Sequence, residues 1–136
     1  MALLDTTVLI DLGRRPDASS HQRARLAVQR LVTAGQILFT SRINEAEFRI
    51  GPEMSNQRQR ELERVERVLA SVVILEFTAD AARAYAISKA AMLKRGRPAG
   101  DCDTLIASIA LANGQSLLTR NPTHFAGIAG LVVEPY

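Results

Sequence analysis

The sequence predicts an α/β protein, a three-layer α/β/α sandwich around a central, mainly parallel sheet, on three observations. Short apolar runs alternate with amphipathic or alanine-rich stretches along the whole chain, the order that yields parallel strands covered by helices on both faces. The 136 residues match the size of one domain, enough to bury about two-thirds of the unfolded surface around one core. A composition of 47% hydrophobic and 23% charged residues is that of a folded globular chain. Residues 1–136 are therefore expected to form a single domain.

Taken in order, Ala2 to Leu4 reads as a strand that ends at Asp5-Thr6-Thr7, and Val8 to Leu12 as the first turns of a helix. Ser19 and Ser20 are good N-cap residues, and Ala24, Val28, Leu31 and Val32 recur at helical spacing up to Gly35, a natural stop. Ile37 to Thr40 is the second strand, and Ser41 can cap a helix carrying Ile43, Ala46, Glu47 and Ile50 that Gly51-Pro52 is expected to end. Gln57 to Ala70 is amphipathic, with Leu62, Val65 and Leu69 on one side and a mixed-charge face on the other. Val72 to Leu75 is a β-branched strand, and Thr78 can cap a helix from Ala79 to Lys94. After a loop over residues 95–100, Asp101-Cys102-Asp103 opens a helix, Thr104 to Ala112, that is apolar nearly all round and so central. Ser116 to Thr119 and Leu131 to Val133 supply the remaining strands.

Composition also removes several classes of function. The N-terminus has neither a basic leader nor a long apolar stretch, and no segment reaches the roughly 18 apolar residues of a membrane span, so a cytoplasmic location is expected. The single cysteine, Cys102, excludes an internal disulfide, and two histidines, His21 and His124, without a His-Glu-x-x-His pairing argue against a histidine-based zinc hydrolase. Of 17 basic residues only Lys89 and Lys94 are lysine. Arginine grips phosphate or carboxylate with a planar fork, which suits RNA, DNA or an acidic peptide, although a GC-rich genome would produce the same bias.

The chemistry-bearing residues stand at element boundaries. Asp5, Glu47, Asp103 and Asn121 each lie where an apolar run gives way to a helix or loop, or in the first turns of a helix. In a parallel sheet these junctions gather at one edge, where ligands bind. Three carboxylates about 5 Å apart repel by about 3 kcal/mol per pair at an effective dielectric near 20, so such a group calls for a cation. Mg²⁺ or Mn²⁺ fits oxygen ligands plus water and would serve hydrolysis of a nucleic-acid backbone. Alternatives stand beside each role: Asp5 and Asp103 as helix N-caps, Glu47 as the partner of a buried Arg49 or Arg120, Asn121 as a turn residue, Thr119 as a strand end. Asp101 is open between a supporting acid, a ligand of a second metal and a cap. Glu45, two positions from Glu47, reads as a surface charge, and Cys102 as filler.

Four blocks in order resemble the PIN-domain proteins of the VapC type, the toxins of type II toxin-antitoxin pairs: Leu3-Leu4-Asp5-Thr6-Thr7-Val8-Leu9-Ile10, Asn44-Glu45-Ala46-Glu47-Phe48-Arg49-Ile50-Gly51, Asp103-Thr104-Leu105-Ile106-Ala107-Ser108 and Leu118-Thr119-Arg120-Asn121-Pro122-Thr123-His124-Phe125. The resemblance covers essentially the whole chain. It implies a PIN-like fold and a Mg²⁺- or Mn²⁺-dependent endoribonuclease, with Asp5, Glu47 and Asp103 as metal-holding acids and Asn121 as the last catalytic position. It further implies Thr119 and Arg120 at the substrate, Asp101 and Thr7 in support, a VapB-like antitoxin that inserts an arginine into the acidic pocket, and a homodimer. The helix from Gln57 to Ala70 is the candidate for antitoxin or dimer contacts. Two departures stand out. Thr7 replaces an asparagine that could orient the site, and Asn121 in place of aspartate removes one charge. A catalytically weak or inactive PIN-fold RNA-binding module is the alternative. A phosphorylatable receiver domain is disfavoured, because Val72 to Leu75 leads to Glu76-Phe77 rather than an aspartate and no lysine follows Leu118.

Overall fold

The computed structural model describes residues 1–97 and 99–136. Strand β1 (Ala2–Leu4) leads into α1 (Thr6–Leu12) and α2 (Ser19–Thr33), and β2 (Leu38–Ser41) into α3 (Arg42–Met54) and α4 (Arg58–Leu69). Strand β3 (Val73–Leu75) is followed by α5 (Ala79–Lys94) and α6 (Asp101–Ala112), then β4 (Ser116–Thr119), a 3₁₀ turn (Pro122–Phe125) and β5 (Val133–Pro135). The loop expected over residues 95–100 includes Pro98, which lies outside the described residues. Among the described residues no helix is long and apolar enough to cross a membrane.

All four strand pairings are parallel, in the order β3-β2-β1-β4-β5, so the sheet is wholly rather than mainly parallel. The chain steps outward from β1 through β2 to β3, then returns to place β4 on the other side of β1. That reversal opens a crevice beyond the carboxyl ends of β1 and β4. Alternation along the central strands sends Ala2, Leu4 and Leu118 to one face with Val8, Leu9, Leu31, Phe48 and Val65, and Leu3 and Leu117 to the other with Met92, Ile106, Ile109 and Phe125. Both faces are thus sealed by helices, α1 to α4 on one and α5 with α6 on the other.

Two helix stops use the left-handed conformation that glycine adopts without penalty. Gly35 (φ 74) closes α2 with bonds from its own N–H to Val32 O at 2.9 Å and from Gln36 N–H to Leu31 O at 3.0 Å. Gly114 (φ 62) repeats the arrangement after α6. Gly51-Pro52, by contrast, does not end α3, which continues to Met54. Pro52 lies in the last turns and is buried; it forfeits only the N–H that would reach back to Phe48, and apolar packing holds the helix through it.

A buried ionic knot ties the end of the chain to its beginning. Asp11 on α1 is fully buried; it accepts from Arg120 Nη1 at 2.8 and 2.7 Å and from Tyr136 Oη at 2.9 Å, and Arg14 Nε stands at ion-pair distance, 3.3 Å. Burial, and then the bond to the Asp11 carboxylate, push the Tyr136 phenol above its ordinary pKa, so it stays a donor. Removing the anion leaves two donors without their acceptor and Arg14 without its ion-pair partner. We expect Asp11→Ala to lower stability by about 2–3 kcal/mol and Tyr136→Phe by about 1 kcal/mol, read from urea unfolding; equal midpoints for both variants and the parent would contradict the knot.

Candidate metal centre and active site

Asp5 sits at the first residue past β1, against the topological reversal. It occupies the backbone N-cap position of α1 (φ −68, ψ 161), yet its side chain caps nothing. Its carboxylate is instead held sideways, 5% exposed: Oδ2 accepts from Thr7 Oγ1 at 2.8 Å and Thr119 Oγ1 at 2.7 Å, and Oδ1 lies 3.4 Å from Asn44 Nδ2. The N-cap reading of Asp5 is therefore not what the side chain does. Thr7, the departure from the asparagine expected there, still orients the acid through its hydroxyl, while Thr7 Oγ1 accepts from Arg120 N–H at 3.1 Å.

Asn44 was not singled out by sequence, and it is the residue that links the two halves of the site. Ser41 N–H at 3.2 Å and Ser41 Oγ at 2.6 Å both donate to Asn44 Oδ1, completing a capping box at the start of α3. With its oxygen occupied, the amide must present its NH₂ group to Thr6 Oγ1 at 2.9 Å and to Asp5. Thr6 in turn donates to Glu47. A fully partnered relay thus runs from Ser41 through Asn44 and Thr6 to Glu47. The signal present in the sequence was Ser41-x-x-Asn44, followed three residues later on the same helix face by Glu47.

Glu47 is half-buried. Burial raises its pKa most, the Thr6 bond opposes this, and the charges of Asp5 and Asp103 raise it further. Asp103 lies at the third position of α6, behind a Gly100 N-cap, so it too is no cap. Its pKa is also raised, first by burial, against which His124 acts, and then by Asp5. His124 Nδ1 stands 3.4 Å from Asp103 Oδ2, a pairing that residue spacing does not reveal. The three acids are thus near enough for their charges to act on one another. Thr119 is buried, donating to Asp5 and accepting from Asn121 N–H at 3.0 Å. Asn121 lies half-exposed in the turn after β4, without a side-chain capping bond.

Other expectations are corrected. Arg120 sits beside the site through its backbone, but its guanidinium is committed to Asp11. Asp101 is exposed and paired with Lys89 at 2.8 Å rather than backing the acids. Neither Arg49 nor Arg120 pairs with Glu47. Glu45, expected at the surface, is 8% exposed and bridges Arg42 and Arg49. Those arginines reach on to Glu76, just past β3, and to Glu66 on α4, which flank the side of α3 that a two-position offset would leave open. Cys102 is exposed on the first turn of α6.

The donor set suits a hard cation. Its ligand oxygens are those of the carboxylates, since the neighbouring hydroxyls and the Asn44 amide are spent on positioning them, and two acids carry raised proton affinity that a divalent ion would relieve. Among the described residues no three His, Cys, Asp or Glu side chains stand at direct-ligand spacing. The fit is therefore to an ion such as Mg²⁺ that keeps several waters.

A parallel α/β/α sandwich that brings three acids within range of one another beside its topological reversal defines a class of α/β protein with an acidic site at the carboxyl edge of its sheet. The PIN domain family model matches residues 2–131, and the chain belongs to that family. It is 28% identical over 134 residues, 98% of this chain and 96% of the relative, to a tRNA(fMet)-specific endonuclease VapC of Shigella flexneri. The fold is shared with a chain of the crystal structure of VapBC2 from Rickettsia felis bound to a DNA fragment from their promoter, with TM-score 0.86, 23% identity, and 99% of this chain and 98% of that chain covered. A chain of DNA-bound VapBC from Salmonella typhimurium gives TM-score 0.83 at 26% identity, again covering 99% and 98%.

The raised acids have a signed consequence. A carboxyl whose folded pKa exceeds its unfolded value binds its proton more tightly in the native state, so its contribution to stability is fully present below the unfolded pKa and is lost as pH rises through the folded one. Metal-free protein should lose stability as pH rises from the ordinary carboxylate range toward neutrality on account of Glu47 and Asp103. Asp103→Asn should flatten that dependence and raise the melting temperature in EDTA at neutral pH. An unchanged pH profile in this variant would count against the mutual repulsion.

Proposed function

We propose that this protein is a divalent-cation-dependent endoribonuclease, the toxin of a type II toxin-antitoxin pair, that hydrolyses RNA phosphodiester bonds. The observation that carries the reading is the gathering of Asp5 and Glu47, held by one relay, with Asp103 within range of their charges at the β1/β4 crevice, supported by PIN-family membership and by the likeness to an endonuclease VapC. Asp5, Glu47 and Asp103 would hold Mg²⁺ or Mn²⁺, directly or through water. When bound, the ion supplies positive charge for the phosphate and a more acidic water.

The chain's own residues do the remainder. Thr7, Thr119 and Asn44 fix the orientation of Asp5, so its carboxylate needs no reorganisation when substrate arrives. Thr6, held by Asn44, fixes Glu47 in the same way. Asn121, half-exposed in the turn after β4, would border the scissile phosphate, with Thr119 buried beneath it as a support of Asp5. The likeness to chains of VapBC complexes supports a VapB-like antitoxin as partner, and the mixed-charge face of α4 is our candidate for antitoxin or homodimer contacts. A cytoplasmic location follows from the proposed RNA substrate.

The absence, among the described residues, of three preformed direct ligands favours a second reading, an RNA-binding PIN module with little or no cleavage. Incubation of purified protein with an unstructured RNA in Mg²⁺, Mn²⁺ or EDTA separates the two. We expect cleavage only with metal, a loss of at least about a hundredfold in Asp5→Ala and Asp103→Ala, and a higher melting temperature with excess Mg²⁺ than with EDTA. Binding without cleavage in any metal would select the second reading, and cleavage retained by both variants would remove these acids from the mechanism.

A further inference from the structure

A second charged feature lies beyond the acidic crevice, on the side of the molecule formed by α1, α2 and α4. A hollow of about 380 Å³ is lined by Leu12, Gly13 and Pro16 from the α1–α2 connection, by Val68, and by the side chains of Arg14, Arg15, Arg64, Arg67 and His21. Four guanidiniums from two separate segments wall it, and no carboxylate is among the lining residues. Its carboxylate neighbours are Asp17 on Arg15 at 3.1 Å, Glu61 on Arg64 at 3.1 Å, and Asp11 on Arg14 at 3.3 Å, the last shared with Arg120. Arg67, exposed on the last turn of α4, has no carboxylate partner within ion-pair distance among the described residues. His21 Nδ1 faces the Leu12 carbonyl at 3.1 Å and must donate to it, which leaves Nε2 as its outward group.

The hollow is not isolated from the candidate active site. A groove of about 240 Å³ shares Gly13, Arg14 and Arg64 with it and is lined at its other end by Glu47. Gly13 is buried between them, packed where a Cβ would touch Phe48 at 3.4 Å and the Arg64 stem at 3.5 Å, so the two hollows adjoin at the Arg14 and Arg64 side chains. Glu61, a second carboxylate of the groove, is already paired with Arg64, and a polyanion reaching out of the acidic crevice past it would meet the arginines. Arginine forks match phosphate oxygens, and positive charge set back from the acids offsets the repulsion that an acidic centre imposes on RNA.

We propose that the arginine-walled hollow is a second subsite for the nucleic-acid substrate, taking a backbone phosphate away from the scissile bond, with Arg15 and Arg67 as its principal contacts. It rests on the ribonuclease reading above and adds to it a second point of attachment for the strand: beyond the groove that Glu47 lines, past Arg14 and Arg64, at the cleft between the α1–α2 connection and α4.

The test uses the full chain in two forms. In an Asp5→Ala background that keeps RNA intact, anisotropy titrations of a labelled unstructured RNA across a salt series compare the parent with Arg15→Ser/Arg67→Ser, and with Arg83→Ser/Lys94→Ser on α5 across the sheet as a control for net charge. Arg15 and Arg67 are exposed, so melting temperatures should match the parent. The site predicts about tenfold weaker binding at low salt for the first pair only, with the slope of log affinity against log salt reduced by roughly 0.7 for each phosphate that is no longer neutralised. In the active background the same pair should raise KM for the long RNA and leave cleavage of a dinucleotide unchanged. Equal loss in both pairs, or none in either, overturns the subsite. So does a pair that binds RNA normally but loses a poly-glutamate peptide, which would make the hollow a peptide site. If the parent neither binds nor cleaves RNA, the ribonuclease reading itself has failed; if it does both and the first pair equals it, only the subsite has.

Discussion

The structure depends on surrounding one carboxylate with donors where it is almost removed from water. Asp5 lies at the end of the central strand, where an unpaired acid would be strongly disfavoured. Three donors from three segments, Thr7, Thr119 and Asn44, answer that cost. Each is itself held: Thr7 and Thr119 accept the N–H groups of Arg120 and Asn121, and Asn44 is locked by Ser41. The site is therefore a property of the sheet topology, since only the placement of β4 against β1 brings Thr119 to Asp5.

Two kinds of electrostatics share the molecule. The Asp11 knot and the Glu76-Arg42-Glu45-Arg49-Glu66 chain are closed, with opposite charges in contact, and they serve to fasten elements together. Glu47 and Asp103 belong to an open set, their pKa values raised first by burial and then by neighbouring acids, Asp5 for both and Asp103 for Glu47, with Thr6 and His124 offsetting only part of it. An open set has a use only if something positive arrives, whereas a closed one has already been satisfied. Arg120 belongs to the closed set, which is why its nearness to Asp5 does not make it a free phosphate contact.

Much of this was legible in the sequence. The alternation of apolar runs with helices dictates a parallel sheet, and Asp5, Glu47 and Asp103 mark themselves by standing at run boundaries. Glycines at 35 and 114 end helices where their positive φ requires them. What was not legible is pairing between distant segments. Asp11 reads as an ordinary helical acid until Arg120 and Tyr136 reach it from more than a hundred positions away. Asn44 reads as one polar residue beside a cap until its amide is seen to bridge Thr6 and Asp5. Glu45 was misread because residue spacing identifies one buried stripe, and a helix packed on two sides has two. Pro52 misled for a related reason, since packing outweighed a local breaker at a helix end.

Because β1 is the middle strand of the sheet, its two neighbours stand at very different distances along the chain. Strand β2 follows within about forty residues, but β4, which supplies Thr119, and the Tyr136 latch on Asp11 come more than a hundred residues later. A growing chain therefore holds Asp5 near Thr7 and Asn44 well before Thr119 can reach it. The acidic crevice is completed by contacts of long sequence separation, the kind that form slowly.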